Sequence, residues 1–327
     1  MPTPHAAFRV LGACLLACLL LLVPACAKPA EGQPRLVLVE VAPLIGLVEP
    51  MLDPAIEIRA IVPAGVSPHG YQLTPSDAAD LARASLVITV GAPLEPAINR
   101  AIEQHAEASN VFSIADALGI DAGACDHADH DHGHDHAHDH GADPHLWLDP
   151  ELMHGFIEAI HTDLVDRGLA DKDHAGYRKT LIAAVDSIDG SFRNQLAPFE
   201  GRAIITHHDA FRRVADRYGL TVAQVIRPVS AVEPTPGDLA RAAEAIRVHN
   251  AGAIFVEPQF SDALPRRIAE QLGVKMYKLD PVGSDDWINL MRFNLRSLVA
   301  GLSEPAPGAS PVSGSSTEPD PDPEPEG

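Results

Sequence analysis

The sequence predicts an α/β protein of two lobes, each a doubly wound parallel sheet of (βα)4 type, joined by a long rigid helix. Three observations predict it. Short apolar runs alternate with helical patterns, the alternation occurs twice, and a strandless stretch separates the two series. In the first series the runs are RLVLVEV (35–41), IEIRAIV (56–62), LVITVG (86–91) and NVFSI (110–114). In the second they are RAIIT (202–206), LTVAQVI (220–226), AGAIFVE (251–257) and VKMYKLD (274–280). Most are almost wholly apolar, as strands covered on both faces are. Between them TPSDAADLARA and TPGDLARAAEAIRVHN each open with Thr, then Pro at the first helical position, then an Asp placed to reach back to the cap. Strand alternating with helix means parallel sheets. The first lobe is assigned to residues 35–150 and the second to 200–302. From 151 to 199 there is no strand signal, and Tyr177, Leu181, Ile182, Val185, Ile188, Phe192 and Leu196 recur at spacings of three and four. That stripe predicts one long amphipathic helix as connector, unlike the Gly- and Ser-rich composition of a flexible linker.

The chain has 327 residues, more than one core comfortably holds. Both ends read as something other than fold. Arg9, the apolar run VLGACLLACLLLLVPA (10–25) and the small residues after it have the order of a signal peptide, assigned to residues 1–27. The run is shorter than the roughly 20 residues a membrane span needs and is broken by Pro24. VPAC, ending at Cys26, resembles a lipobox, while Ala25-Cys26-Ala27 is an ordinary cleavage site, so the mature chain is predicted to be periplasmic, with or without a lipid on Cys26. Beyond the signal only Cys125 remains, which excludes an internal disulfide framework. Residues 303–327 are dominated by Pro, Ser, Gly and acid and are expected to be disordered. The formal charge of −21 and pI near 5.1 argue against nucleic acid as a partner and favour collecting cations.

Ligands of doubly wound sheets bind beyond the carboxyl ends of the strands. Four candidates stand there: His69 in SPHGYQLTPSD, His145 in DPHLWLDP, His208 in ITHHDAF and Asp280 in YKLDP. Three imidazoles and one carboxylate suit zinc and its tetrahedral preference. A catalytic zinc usually keeps one open position, whereas this set closes the tetrahedron. Neither H-E-x-x-H nor G-x-S-x-G occurs. The reading is therefore a carrier of metal, not an enzyme, with an exported zinc hydrolase as the rival class.

SPHGYQLTPSD, DPHLWLDP, HHDAFRRVADRYGL, FVEPQFS and LDPVG followed by NLMRFNLRSL resemble, in order over residues 35–302, the signatures of the metal-binding solute receptors of bacterial ABC importers. This is the cluster A-I family, and the similarity is to its zinc-specific branch with a His/Asp-rich loop. The resemblance implies metal in the cleft between two lobes joined by a long helix. It carries the four ligands onto His69, His145, His208 and Asp280, and implies a membrane permease as partner of a monomeric receptor. Manganese receptors of the family hold a glutamate at the third position. Histidine there implies zinc, with a manganese or iron receptor as the alternative. His207 lies nearer the strand, and the match to HDAF selects His208. Glu257 is expected to act as a partner of a ligand or as a capping acid. The cysteine pair of some zinc receptors is missing from the second lobe.

CDHADHDHGHDHAHDH (125–140) contains seven histidines: His127, His130, His132, His134, His136, His138 and His140. Asp-His alternation without large apolar side chains cannot bury enough surface to offset ordering. Residues 126–140 are therefore expected to be a mobile loop that captures zinc weakly beside His145. A periplasmic metallochaperone delivering zinc to this loop is a second expected partner.

Overall fold

The computed structural model describes residues 35–120, 143–170, 175–227 and 233–307. The proposed signal segment 1–27, the His-rich tract with its seven histidines and Cys125, and the tail beyond residue 307 lie outside the described residues.

All eight anticipated strands form. Those of the first half are β1 (Leu36–Val41), β2 (Glu57–Val62), β3 (Leu86–Thr89) and β4 (Val111–Ser113), with helices α1 (Pro75–Arg83) and α2 (Pro96–His105). Two helices follow, α3 (Pro150–Asp166) and α4 (Ala175–Leu196). The second half runs β5 (Ala203–Thr206), α5 (Arg212–Arg217), β6 (Thr221–Val225), α6 (Pro236–Val248), β7 (Ala253–Val256), α7 (Ala263–Leu272), β8 (Lys275–Lys278) and α8 (Trp287–Leu302). The sheets are parallel, ordered β2-β1-β3-β4 and β6-β5-β7-β8. In each the order reverses between the two central strands, which opens a crevice at their carboxyl ends.

The central strands explain their composition. On β1, Val37, Val39 and Val41 enter one apolar cluster and Leu36 and Leu38 another, so both faces are covered and no polar alternation survives. The edge strand β8 carries exposed Lys275 and Lys278 at its ends, charges that discourage pairing with another chain. Both anticipated capping boxes form, Thr74 with Asp77 on α1 and Thr235 with Asp238 on α6.

The stripe lies on one continuous helix, α4, and the rest of 151–199 adds a second helix before it. The two helices pack on each other, α3 ending at Asp166 and α4 beginning at Ala175. Gly168, in the left-handed region at φ 62°, stops α3, and Leu169 donates back to the Leu164 carbonyl at 2.8 Å. On α4, Leu181, Val185, Ile188, Phe192 and Leu196 are buried as the stripe requires, but Tyr177 is 58% exposed. The start of the expected disordered tail also differs. Glu304 accepts a 2.5 Å bond from the Tyr277 hydroxyl, and the backbone at 304 and 305 lies so close over Gly252 that a Cβ there would sit 2.5 Å from the Pro305 carbonyl oxygen.

The main apolar cluster does not respect the halves. It runs from β1 through α3 and α4 to Phe255, Leu279 and Trp287. Trp147 donates to the Pro281 carbonyl at 2.8 Å, Trp287 to the Trp147 carbonyl at 2.6 Å, and the Gly65 amide to the Val282 carbonyl at 2.8 Å. The 281–287 segment is thereby fastened to the first half.

Candidate metal centre

His69, His145 and His208 come from three separate connections and converge. His69 lies between β2 and α1, in a loop turned by Gly65 and Gly70, whose φ values of 78° and 80° belong to the left-handed region. The amide of Gly70 donates to Glu95 Oε2 at 2.7 Å, and Oε1 of the same carboxylate caps α2 by accepting from the Ala97 amide at 3.3 Å. His145 precedes the helical turn Leu146–Leu148. His208 follows β5, where the chain turns toward α5.

The rings pack edge to face, with centroids 5.6 Å apart for His69 and His145, 4.9 Å for His69 and His208, and 5.2 Å for His145 and His208. One nitrogen from each lies within 4.8 Å of the others, the only such group of three or more metal-ligating side chains among the described residues. Each ring is also held from behind. Asp143 Oδ1 accepts from the His145 amide at 3.0 Å and meets His145 Nδ1 at 2.8 Å. His208 Nδ1 faces Glu257 Oε1 at 3.2 Å. His69 hydrogen-bonds to the Leu94 backbone, and its buried Nε2 has no partner among the described residues. An oxygen on one ring nitrogen fixes ring orientation and aims the other nitrogen, the device by which proteins preset imidazole ligands.

The surroundings of His69 disfavour a charged ring. Burial, then the neighbouring His145 and His208, push the His69 pKa down to about 3. Its nitrogen is thus unprotonated at any ordinary pH, as a ligand must be. Burial opposes ionisation of Asp143, but its bonds to His145 and the charge of Arg213 outweigh this and hold its pKa below the usual carboxylate value. Arg213 also donates to the Asp143 carbonyl at 3.0 Å.

The remaining candidates stand apart. His207 is not in the group of three, and its ring lies 5.5 Å from that of Phe260. Burial lowers its pKa, and Arg227 adds to this against the pull of Glu257. Glu257 is buried at the end of β7, beside His208. Asp280 is not in the group of three. Its Oδ1 accepts from Gln259 Nε2 at 2.7 Å and from the Val282 amide at 3.2 Å. Asp143, Glu95 and the Leu94 backbone carry positioning roles that no motif announced. Asp143 had a readable signal, an acid two residues before a candidate histidine within DPH.

A family model described as zinc-uptake complex component A, periplasmic (ZnuA), matches residues 37–301. The manganese-binding lipoprotein MntA of Halalkalibacterium halodurans is 26% identical over 261 residues, covering 76% of this chain and 81% of its own. The high-affinity zinc uptake system protein ZnuA of Yersinia pestis is 27% identical over 295 residues, covering 81% of this chain and 90% of its own. Among solved structures, the periplasmic zinc binding protein TroA from Treponema pallidum shares the fold, with a TM-score of 0.68 at 20% identity over 83% of this chain and 99% of its own. No described helix is long and apolar enough to cross a membrane. With two parallel (βα) halves and three imidazoles gathered from separate connections, the chain belongs to the ZnuA family, cluster A-I metal-binding solute receptors whose members are substrate-binding components of ABC importers.

Proposed function

We propose that this chain is a periplasmic receptor that captures one zinc ion with His69, His145 and His208, completes the coordination with Asp280, and delivers the ion to an ABC importer permease. The observation that carries the reading is the convergence of three oriented imidazoles. Imidazole suits zinc, whereas manganese prefers more oxygen. The histidine at position 208 is the choice that separates the two metals. The manganese-binding relative supplies the second reading, and direct competition decides between them.

Titration of the full chain against a chelator is expected to show one tight zinc equivalent. Replacing His208 with Ala removes a ligand and should weaken zinc by more than about 100-fold, since even losing a supporting partner of a ligand commonly costs 10- to 100-fold. His208→Glu should weaken zinc more than manganese. Retention of tight zinc by the Ala variant, or a preference of the parent for manganese, would remove the assignment.

The His-rich tract is proposed as an accessory capture element, receiving zinc from solution or from a periplasmic metallochaperone and raising its local concentration beside His145. Deleting residues 126–140 should leave the tight site and abolish weaker additional equivalents in calorimetry. Loss of the tight site would instead place the main function in the tract.

A further inference from the structure

The backbone of Asp280 is tied at both its polar groups. Its amide donates to Asn294 Oδ1 at 2.7 Å and its carbonyl accepts from Asn294 Nδ2 at 2.8 Å, with Asn294 fully buried on α8. The next two carbonyls are tied to Trp147 and Gly65. What the carboxylate does is therefore decided by its immediate neighbours. Oδ2 lies over Gly283, where a Cβ would be 1.8 Å from it. Oδ1 takes the Gln259 amide. Gln259, not Asp280, lines the small cavity with His69, His145 and His208. Its Oε1 is buried with no hydrogen-bond partner among the described residues.

We propose that Gln259 sets the metal preference of the site by competing with the metal for Asp280. While Nε2 donates to Oδ1, an ion that draws on the carboxylate shares its charge with the Gln259 amide or displaces it. A hydrogen bond to a charged acceptor is among the stronger kinds. A metal that depends on carboxylate oxygen bears that cost in full, while one satisfied by imidazole nitrogen bears less of it. Gln259 thus penalises manganese more than zinc, and acts as a positioning residue through Asp280. The inference rests on the reading of the three histidines as the metal site.

The test is a double-mutant cycle on the full chain, titrated with zinc and with manganese against a chelator so that only the tight site reads. Gln259→Leu removes the donor at similar volume, and Gln259→Met serves as a second form should the first fold poorly, with thermal melts as the check. Either variant is expected to tighten manganese about tenfold and zinc by less, narrowing the ratio between them. In an Asp280→Asn background the same change should shift neither metal. Equal shifts for both metals, or shifts that persist in the Asp280→Asn background, would overturn the proposal, the latter by assigning Gln259 a role independent of the Asp280 carboxylate. The His208→Ala titration separates this from the parent reading: tight zinc without His208 removes the site, whereas its loss together with an unresponsive Gln259 removes only the competition.

Discussion

Glu40 lies on the fully buried strand β1, on the face it shares with Leu36 and Leu38. Its Oε2 accepts from the Thr89 hydroxyl at 2.6 Å and the Val90 amide at 2.7 Å, while Oε1 has no partner among the described residues. Burial raises its pKa against the pull of those two bonds. Above the ordinary carboxylate range the unfolded chain has released this proton and the folded chain still binds it. Stability is then full below that range and declines as pH rises toward the raised value, by up to about 1.4 kcal/mol per pH unit. Glu40→Gln mimics the neutral acid, so its melting curve should match the parent below the ordinary carboxylate range and exceed it increasingly as pH rises above that range. A variant less stable than the parent at every pH would show that the ionised form is the native one. The residue matters beyond stability because Thr89 and Val90 lead into the turn whose Leu94 and Glu95 support the His69 loop.

At the scale of elements, the readable features are those with a local cause. The central strands β1, β3, β5 and β7 are covered on both faces and so apolar along their length, the edge strands show as β-rich runs between helices, and the paired Thr-Pro-x-Asp starts mark α1 and α6 because cap and carboxylate lie three residues apart. The connector adds to the expected long helix a second one, α3, whose end has an equally local cause. Gly168 is a helix stop that the later periodicity overshadows. Tyr177 matches the spacing but sits in the first turn of α4, beyond the reach of the surface the stripe covers. Thr235→Ala removes a cap whose hydroxyl accepts from the Asp238 amide at 3.2 Å and donates to Asp238 Oδ2 at 2.6 Å. The expected loss is about 1 kcal/mol, read as a lowered melting temperature, with zinc affinity unchanged because α6 carries no candidate ligand. A change in affinity would mean that α6 reports to the cleft.

Across the whole molecule, the features that sequence does not disclose are those joining distant positions. Motifs single out His69, His145 and His208, yet nothing local says that Trp147 meets Pro281 and Trp287 across separations of 134 and 140 residues. Both indoles are fully buried, and each donates to a backbone carbonyl of the segment facing it. Trp147 stands two residues from His145, and Pro281 adjoins Asp280. The same bonds therefore fasten the halves and set the candidate ligands' relative positions. Because the main apolar cluster also spans both halves, unfolding should be one cooperative transition. Trp287→Phe leaves the Trp147 carbonyl without its donor and should cost about 2 kcal/mol, and it should weaken zinc as well. Ile246→Val is the counterpart, confined to the separate cluster of the second half with Ile205, Ile226 and Ala242. It should cost about 1 kcal/mol and leave zinc affinity as it was. Melts with and without zinc distinguish the two variants: the increment conferred by zinc should shrink only for Trp287→Phe. If both variants, or neither, changed that increment, the tryptophan pair would hold the fold alone and have no part in presenting the site.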